Sequence, residues 1–302
     1  GNARAYELTG NSTDRAVVDN FLAHLLTNHS FATGGSSSGE CWQNSRDLGA
    51  FLDAQTEESC TQYNVLKIAR RRFMWTADAA DADFYERALW NGILGNQNRL
   101  HSGATSYIYM LPLGGVQHKP WGKSDYGFPC CWGTLSESFA KLSDSIFFAA
   151  PDGSAFFINQ FVSASARFGP YITLQQQARF PVHPTSTATI TIRIKDNAAA
   201  ASTFDLKLRV PGWLKVGSGR VTLNGKQVDG QLTPRSYLTI SRNWNDGDVL
   251  EVSFPLSLWT APLNDYHPEY NATMAFMYGP LVLAGVHVAS DIFVPLNSTF
   301  QS

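Results

Sequence analysis

The stretch TLSESFAKLSDSIFFAAPDGSAFFI, Thr134 to Ile158, holds the change of period on which the fold turns. Leu135, Phe139, Leu142 and Ile146 follow one another at intervals of four, three and four residues, the stripe of a helix with one face buried. After Phe148 the pattern becomes short apolar runs, beginning with Ala155-Phe156-Phe157-Ile158, which read as strands. Toward the N-terminus the helical period persists. Ser12-Thr13-Asp14 supplies N-cap chemistry ahead of the stripe Val17, Val18, Phe21, Leu22, Leu25 and Leu26. A second helix is expected from about Glu57 to Trp75, with Val65, Leu66, Ile68, Ala69 and Phe73 inward, and a third carries Phe84, Ala88, Leu89 and Leu94. Toward the C-terminus, strands are expected at Thr189–Ile194, Phe204–Val210, Arg220–Leu223, Ser236–Ile240 and Val249–Phe254. Asn224-Gly225 and Asp246-Gly247 read as hairpin turns between such runs, and Asn197 to Ser202 as a loop. The expectation is a multidomain chain, α then β: a helical domain over residues 1–146, then an antiparallel β-sandwich over 147–302, with a second sandwich beginning after about 256.

Bulk composition narrows the function. The chain has 302 residues, 44% hydrophobic and 16% charged, enough apolar material for roughly two domains. A formal charge of −2 leaves no basic surplus of the kind that phosphate backbones or anionic lipids select, so no nucleic-acid partner is expected. No apolar run approaches the ~20 residues of a membrane span. The chain opens with GNARAYELTG, without methionine or a signal segment, and is expected to be a processed or partial chain. Four N-x-S/T sequons start at Asn11, Asn28, Asn271 and Asn297; they are compatible with secretion, but chance alone produces most of that number, and localisation is left open.

The chemistry centres on cysteine. Cys130 and Cys131 are adjacent, where a disulfide would strain the backbone, and they precede a helix opening with Gly133-Thr134. Unpaired N–H groups at such a helix start favour a thiolate. Glu57-Glu58-Ser59-Cys60 opens another helix, and Glu58 and Cys60 can converge from its first turn to complete a tetrahedral site with the two thiols. Buried free thiols are the competing reading. Glu40 closes the glycine-rich loop Thr33 to Glu40, where a carboxyl group is presented either as a proton donor or as an ordinary solvated side chain. The loop Pro120 to Pro129 brings Trp121 and other aromatic faces of the kind sugars pack on, and Tyr107-Ile108-Tyr109-Met110 alternates so that Tyr109 points either into a pocket or into the core. The seven histidines, at 24, 29, 101, 118, 183, 267 and 287, form no H-x-x-x-H pair, and none is assigned to the metal.

These residues carry a resemblance to glycoside hydrolase family 127, the β-L-arabinofuranosidases, and especially to its plant-type members. The matching text is Ala32-Thr33-Gly34-Gly35 through Gly39-Glu40, Glu57-Glu58-Ser59-Cys60-Thr61, Tyr107 through Leu113, and Cys130-Cys131-Trp132-Gly133-Thr134 with Glu137-Ser138-Phe139. Order and spacing agree, and the resemblance extends to Met277-Tyr278-Gly279-Pro280-Leu281. It implies a retaining glycosidase releasing L-arabinofuranose, acting on an arabinofuranosyl oligosaccharide or glycoprotein glycan. Glu58, Cys60, Cys130 and Cys131 would bind Zn2+, Cys130 would also be the nucleophile, Glu40 the acid/base, and Tyr109 a substrate contact. The family's catalytic domain is an (α/α)6 barrel of about twelve helices, of which ~146 residues hold about half. The resemblance thus implies the C-terminal half of the barrel, with the family's substrate histidines mostly upstream and the fragment inactive alone. Two departures stand out. Cys41 follows the acid/base and offers an alternative fourth thiol in place of Glu58, and Leu135 replaces a glycine usual after Gly-Thr. The competing function classes are a glycosidase of different sugar specificity on the same fold and a non-catalytic carbohydrate-binding or structural zinc protein.

Overall fold

The computed structural model describes residues 1–99, 105–115, 117–122, 127–181, 183–195 and 203–285. Lys123 to Tyr126 of the aromatic loop, the Asn197–Ser202 loop, His101, His287 and the Asn297 sequon lie outside the described residues. Two compact units are present: one holds Gly1–Thr76, Phe84–Ala140 and the residues from Leu258 onward, the other Ala77–Asp83 and Lys141–Ser257. The first of these units runs to Ala140 ahead of the strands and takes up the chain again from Leu258.

The first unit is built on helices α1 (Asn2–Thr9), α2 (Ser12–Asn28), α3 (Ser59–Thr76), α4 (Ala79–Ala88) and α5 (Cys130–Ala140), with the first part of α4 counted in the second unit. The α2 cap is Asn11, one residue before the expected group; its side chain accepts from Thr13 N at 2.9 Å. Val18, Leu22 and Leu25 are buried, whereas Val17 and Phe21 of the same stripe are 47% and 37% exposed. Helix α3 packs on α2 and α5 through Val65, Leu66, Ala69 and Phe73, and each fully buried side chain of this size contributes roughly 1.5–3 kcal/mol. Arg71 and Arg72 tie α3 to Glu7 of α1 and Asp19 of α2, the latter pair at 3.1 Å. Helix α4 runs on as a π turn, Leu89–Ile93, and a 3-10 turn, Leu94–Asn96. The final helix is shorter than its stripe implies. α5 ends at Ala140, and Leu142 and Ile146 lie in turns, because Ser143, Asp144 and Ser145 have side chains that compete for backbone hydrogen bonds. This unit also contains the hairpin β1 (Gln97–Arg99) and β2 (Thr105–Tyr107).

The second unit carries β3 (Phe147–Ala149), β4 (Ala155–Ile158), β5 (Ala164–Phe168), β6 (Ile172–Ala178), β7 (Thr187–Ile194), β8 (Thr203–Val210), β9 (Arg220–Leu223), β10 (Lys226–Gln227), β11 (Ser236–Asn243) and β12 (Val249–Ser253). They form a six-stranded sheet, β10-β9-β12-β7-β6-β5, and a four-stranded sheet, β11-β8-β4-β3. Leu174, Ile190, Ile192 and Leu250 of the first and Ile158, Leu206 and Leu208 of the second enter one buried cluster. The alternation along β6 and β7 places every second side chain there. Asn224 and Gly225, at φ 50° and 78°, make the expected two-residue hairpin. Asp246-Gly247 does not: β11 and β12 belong to different sheets, so this turn carries the chain from one sheet to the other. The expectation of purely antiparallel pairing also fails at β4, which runs parallel to β8 because β5 to β7 intervene in the other sheet.

Beyond Leu258, β13 (Leu258–Pro262), β14 (Met274–Tyr278) and β15 (Leu281–Val282) make a three-stranded antiparallel sheet in the first unit. Among the described residues, the second unit ends at Ser257.

Candidate functional site

Three short segments of the first unit are stitched together by backbone hydrogen bonds. Glu57 N donates to Ser37 O and Leu111 N to Glu57 O, each at 3.0 Å, while Ser59 N donates to Tyr109 O at 3.1 Å. Gly39 N reaches Gln55 O at 3.0 Å. These links set the loop bearing Glu40 and the segment bearing Tyr109 on either side of Glu58. The stitching holds uncommon backbone: Ser37, Glu40 and Glu57 take φ of 79°, 65° and 56°, a left-handed conformation that costs a non-glycine residue of order 1 kcal/mol or more. Glu57 is buried, accepts a hydrogen bond from Thr33 Oγ1, and lies where any Cβ on Gly35 would come within 2.5 Å of its Cδ. Burial pushes its carboxyl group up to about 8.

Glu58 precedes α3 and Cys60 stands in its first turn, while Cys130 and Cys131 are the first two residues of α5. The sequence reading placed the thiols just before a helix; they are inside it. Their three sulfurs and the Glu58 carboxylate all lie within 4.8 Å of one another. Cys131 Sγ is 3.6 Å from Glu58 Oε1. A tetrahedral zinc with sulfur at ~2.3 Å and oxygen at ~2.1 Å separates the two by about 3.6 Å, so the donor set and this spacing fit that ion. Cys41 is exposed and is not among the four. Two threonines assigned no role from sequence add contacts: Thr61 Oγ1 donates to Glu58 Oε2 at 3.1 Å and Thr134 Oγ1 to Cys60 Sγ at 3.3 Å. Their signal was spacing, three residues after Glu58 and four after Cys130 on helices.

Tyr109 joins this cluster to Glu40. Its hydroxyl donates to Glu40 Oε1 and lies 3.2 Å from Cys130 Sγ. When the hydroxyl proton is turned to sulfur instead, it holds the Cys130 thiol below its ordinary pKa against a smaller opposing effect of burial. Burial pushes Cys60 up to about 11 and Cys131 up further. Tyr109 is itself raised, by the Cys130 and Glu40 contacts. Of these three thiols, Cys130 is the one shifted downward. The structure brings together Glu40, Glu58, Cys60, Tyr109, Cys130 and Cys131. Trp121 is placed by other contacts: its N–H bonds Lys119 O at 3.0 Å, and the Lys119 ammonium lies 5.6 Å over its ring.

Comparison with known proteins agrees with this arrangement. A family model described as the beta-L-arabinofuranosidase GH127 catalytic domain matches residues 1–144, and one for the GH127 middle domain matches 155–256. A non-reducing end beta-L-arabinofuranosidase of Bifidobacterium longum subsp. longum is 25% identical over 297 residues, covering 91% of this chain and 43% of the relative. A GH127 beta-L-arabinofuranosidase from Geobacillus stearothermophilus T6 superposes with a TM-score of 0.76 at 23% identity, over 93% of this chain and 45% of that one. A further GH127 beta-arabinofuranosidase gives 0.75 at 24% identity, with the same coverages of 93% and 45%. The chain spans less than half the length of these relatives. With both domain models matched in order over most of its length, the chain belongs to glycoside hydrolase family 127.

Proposed function

We propose that this chain carries the nucleophile, acid/base and metal ligands of a retaining glycosidase that releases L-arabinofuranose from β-L-arabinofuranosides, on an arabinofuranosyl oligosaccharide or glycoprotein glycan. Residues 1–146 are assigned to the C-terminal half of an (α/α)6 barrel, and the two-sheet unit to the β-sandwich that follows it. The observation that carries the reading is a single tyrosine hydroxyl in contact with both the Glu40 carboxylate and the Cys130 sulfur, beside three further metal-type donors. Two hydrogen bonds bound the separation of Glu40 and Cys130 at about 6 Å, the short distance that suits double displacement rather than insertion of a water.

Glu58, Cys60, Cys130 and Cys131 would hold zinc, which when bound supplies the positive charge that keeps sulfur ionised at neutral pH. Cys130 Sγ attacks the anomeric carbon as Glu40 gives its proton to the departing oxygen; a C–S bond forms and the glycosidic C–O bond breaks. Glu40, now a carboxylate, takes a proton from water, whose oxygen displaces sulfur and restores the β configuration. The Tyr109 proton can follow the charge, donating to the thiolate before attack and to the Glu40 carboxylate afterwards. Tyr109 and Trp121 are assigned to substrate contact. In the protein that carries this chain, Cys130→Ala should abolish hydrolysis of an aryl β-L-arabinofuranoside, and the unmodified enzyme should show a pentosyl adduct on the peptide containing Cys130. A Cys130→Ala protein that turns over at the unmodified rate would refute the assignment.

A further inference from the structure

The C-terminal end of α2 brings two imidazoles together, neither of them among the residues assigned above. His24 Nε2 and His29 Nε2 lie 3.3 Å apart, with ring planes inclined by 58°. Residues five apart on an unbroken helix do not face one another. Here α2 stops at Asn28, and His29 caps it at φ −133°, ψ 1°, while its N–H still bonds Leu25 O at 2.9 Å. This break in the helix lets the ring of His29 meet that of His24. From the other side, Phe31 N bonds Gly35 O at 2.9 Å and Ser30 bridges Ser36, so the residues after His29 are held in place.

We propose that His24 and His29 form a second metal site, for an imidazole-preferring divalent ion of the zinc, copper and nickel group, through their two Nε2 atoms. A tetrahedral ion with metal–nitrogen bonds of ~2.0–2.1 Å holds two nitrogens about 3.3–3.4 Å apart, and the observed separation is 3.3 Å. Without an ion, one proton lies between the two Nε2 atoms. On binding, that proton moves to His24 Nδ1, so no net proton is lost. Asn28 serves both states: its amide group is 2.9 Å from His24 Nδ1, and it can present Nδ2–H to the bare nitrogen or turn to offer Oδ1 to Nδ1–H.

Exposure divides the work between the ligands. His29 is buried and fixed, whereas His24 is exposed and gives an ion access from solvent. No third His, Cys, Asp or Glu joins the pair among the described residues, so water fills the remaining positions. The cleft beside His29 has Ser37, Ser38, Gln43 and Asp47 among its lining residues. Two nitrogen donors select borderline metals over magnesium or calcium, and hold them less firmly than the four-donor cluster.

The test is equilibrium dialysis of the intact chain, first loaded with zinc and then washed with a mild chelator so that only the tightly held ion stays. On re-exposure to free zinc, the unmodified protein should take up one further equivalent. His24→Ala, at an exposed position, and His29→Gln should each weaken that uptake at least about tenfold, and Cys60→Ala should keep it. The ring C–H resonances of both histidines should shift together during the titration. Unchanged uptake by His24→Ala, or zinc saturation that leaves both imidazole resonances unmoved, would overturn the proposal.

Discussion

Asp265→Ala removes a carboxylate that joins the segment beyond Leu258 to the loop beyond Glu40. Its Oδ2 accepts from Leu48 N and Gly49 N, both at 2.6 Å, and its Oδ1 from His267 N at 2.7 Å. Burial alone would raise this carboxyl group, but the N–H groups of Gly49, His267 and Leu48 outweigh it and hold Asp265 below the ordinary carboxylate value. Leu48 is 4% exposed and Gly49 is buried, so their amides are not readily rehydrated, whereas His267 is half-buried and more easily reached by water. At ~1–2 kcal/mol for each of the two stranded donors, the substitution should cost about 2–4 kcal/mol at pH 7. Asp265→Asn keeps one acceptor and should cost about half as much.

The sign of the pH dependence follows from the lowered pKa. Between the folded and unfolded values the unfolded chain binds more protons, so stability rises with pH across that interval. The contribution is complete above the ordinary aspartate value, about pH 4, and is lost as pH falls through the lower, folded one. Amide hydrogen exchange at Leu48 and Gly49 should accelerate in Asp265→Ala at pH 7. Urea unfolding should show the gap between the two proteins closing as pH falls below the ordinary aspartate value. A cost under about 1 kcal/mol at pH 7, or a gap that stays the same in acid, would refute the reasoning.

Glu40→Gln should lower turnover by roughly 10²–10⁴ on alkyl or glycosyl leaving groups and far less on good aryl ones, which leave without a proton; equal losses would count against the acid role. Tyr109→Phe removes the hydroxyl between Glu40 and Cys130, and at ~1.5–3 kcal/mol for a charge-assisted hydrogen bond should reduce kcat/KM by about 10–100-fold, with bound zinc unchanged by elemental analysis. Purified protein should retain about one tightly held zinc, and Cys131→Ser should lose it; less than half an equivalent with Cys130 and Cys131 both freely alkylated would remove the metal from the scheme.

Periodicity made the order of elements legible wherever one face is buried, as in α3, β7 and β8. It failed where polar chemistry decides: α5 ends at Ala140 although the apolar stripe continues to Ile146, because Ser143 to Ser145 break the helix. Strands β5 and β6 were missed, β5 because it alternates half-buried with exposed residues and β6 because Gln175 to Gln177 interrupt its apolar reading. The donors of the metal cluster could be picked out by residue type and order, and the choice of Glu58 over Cys41 needed the fold, since both flank proposed site residues in sequence. The hydroxyl contacts of Tyr109 depend on which way one side chain points, and no period encodes that. The pairing of His24 with His29 was hidden for a related reason: five residues is the wrong interval on a helix, and the interval becomes right only where the helix stops.

The first unit is discontinuous in sequence, and synthesis has a direction. As the chain emerges from the ribosome, Glu40, Glu58, Cys60, Tyr109, Cys130 and Cys131 are all delivered before residue 141, yet the unit that contains them is completed only by the segment beginning at Leu258. Leu48 and Gly49 therefore wait, as unpaired donors, for Asp265 to arrive some two hundred residues later. A nascent chain paused within β3 to β12 carries Glu58, Cys60, Cys130 and Cys131 on an unfinished scaffold, so the two helix starts that bear them are brought to their final spacing only when the rest has been made.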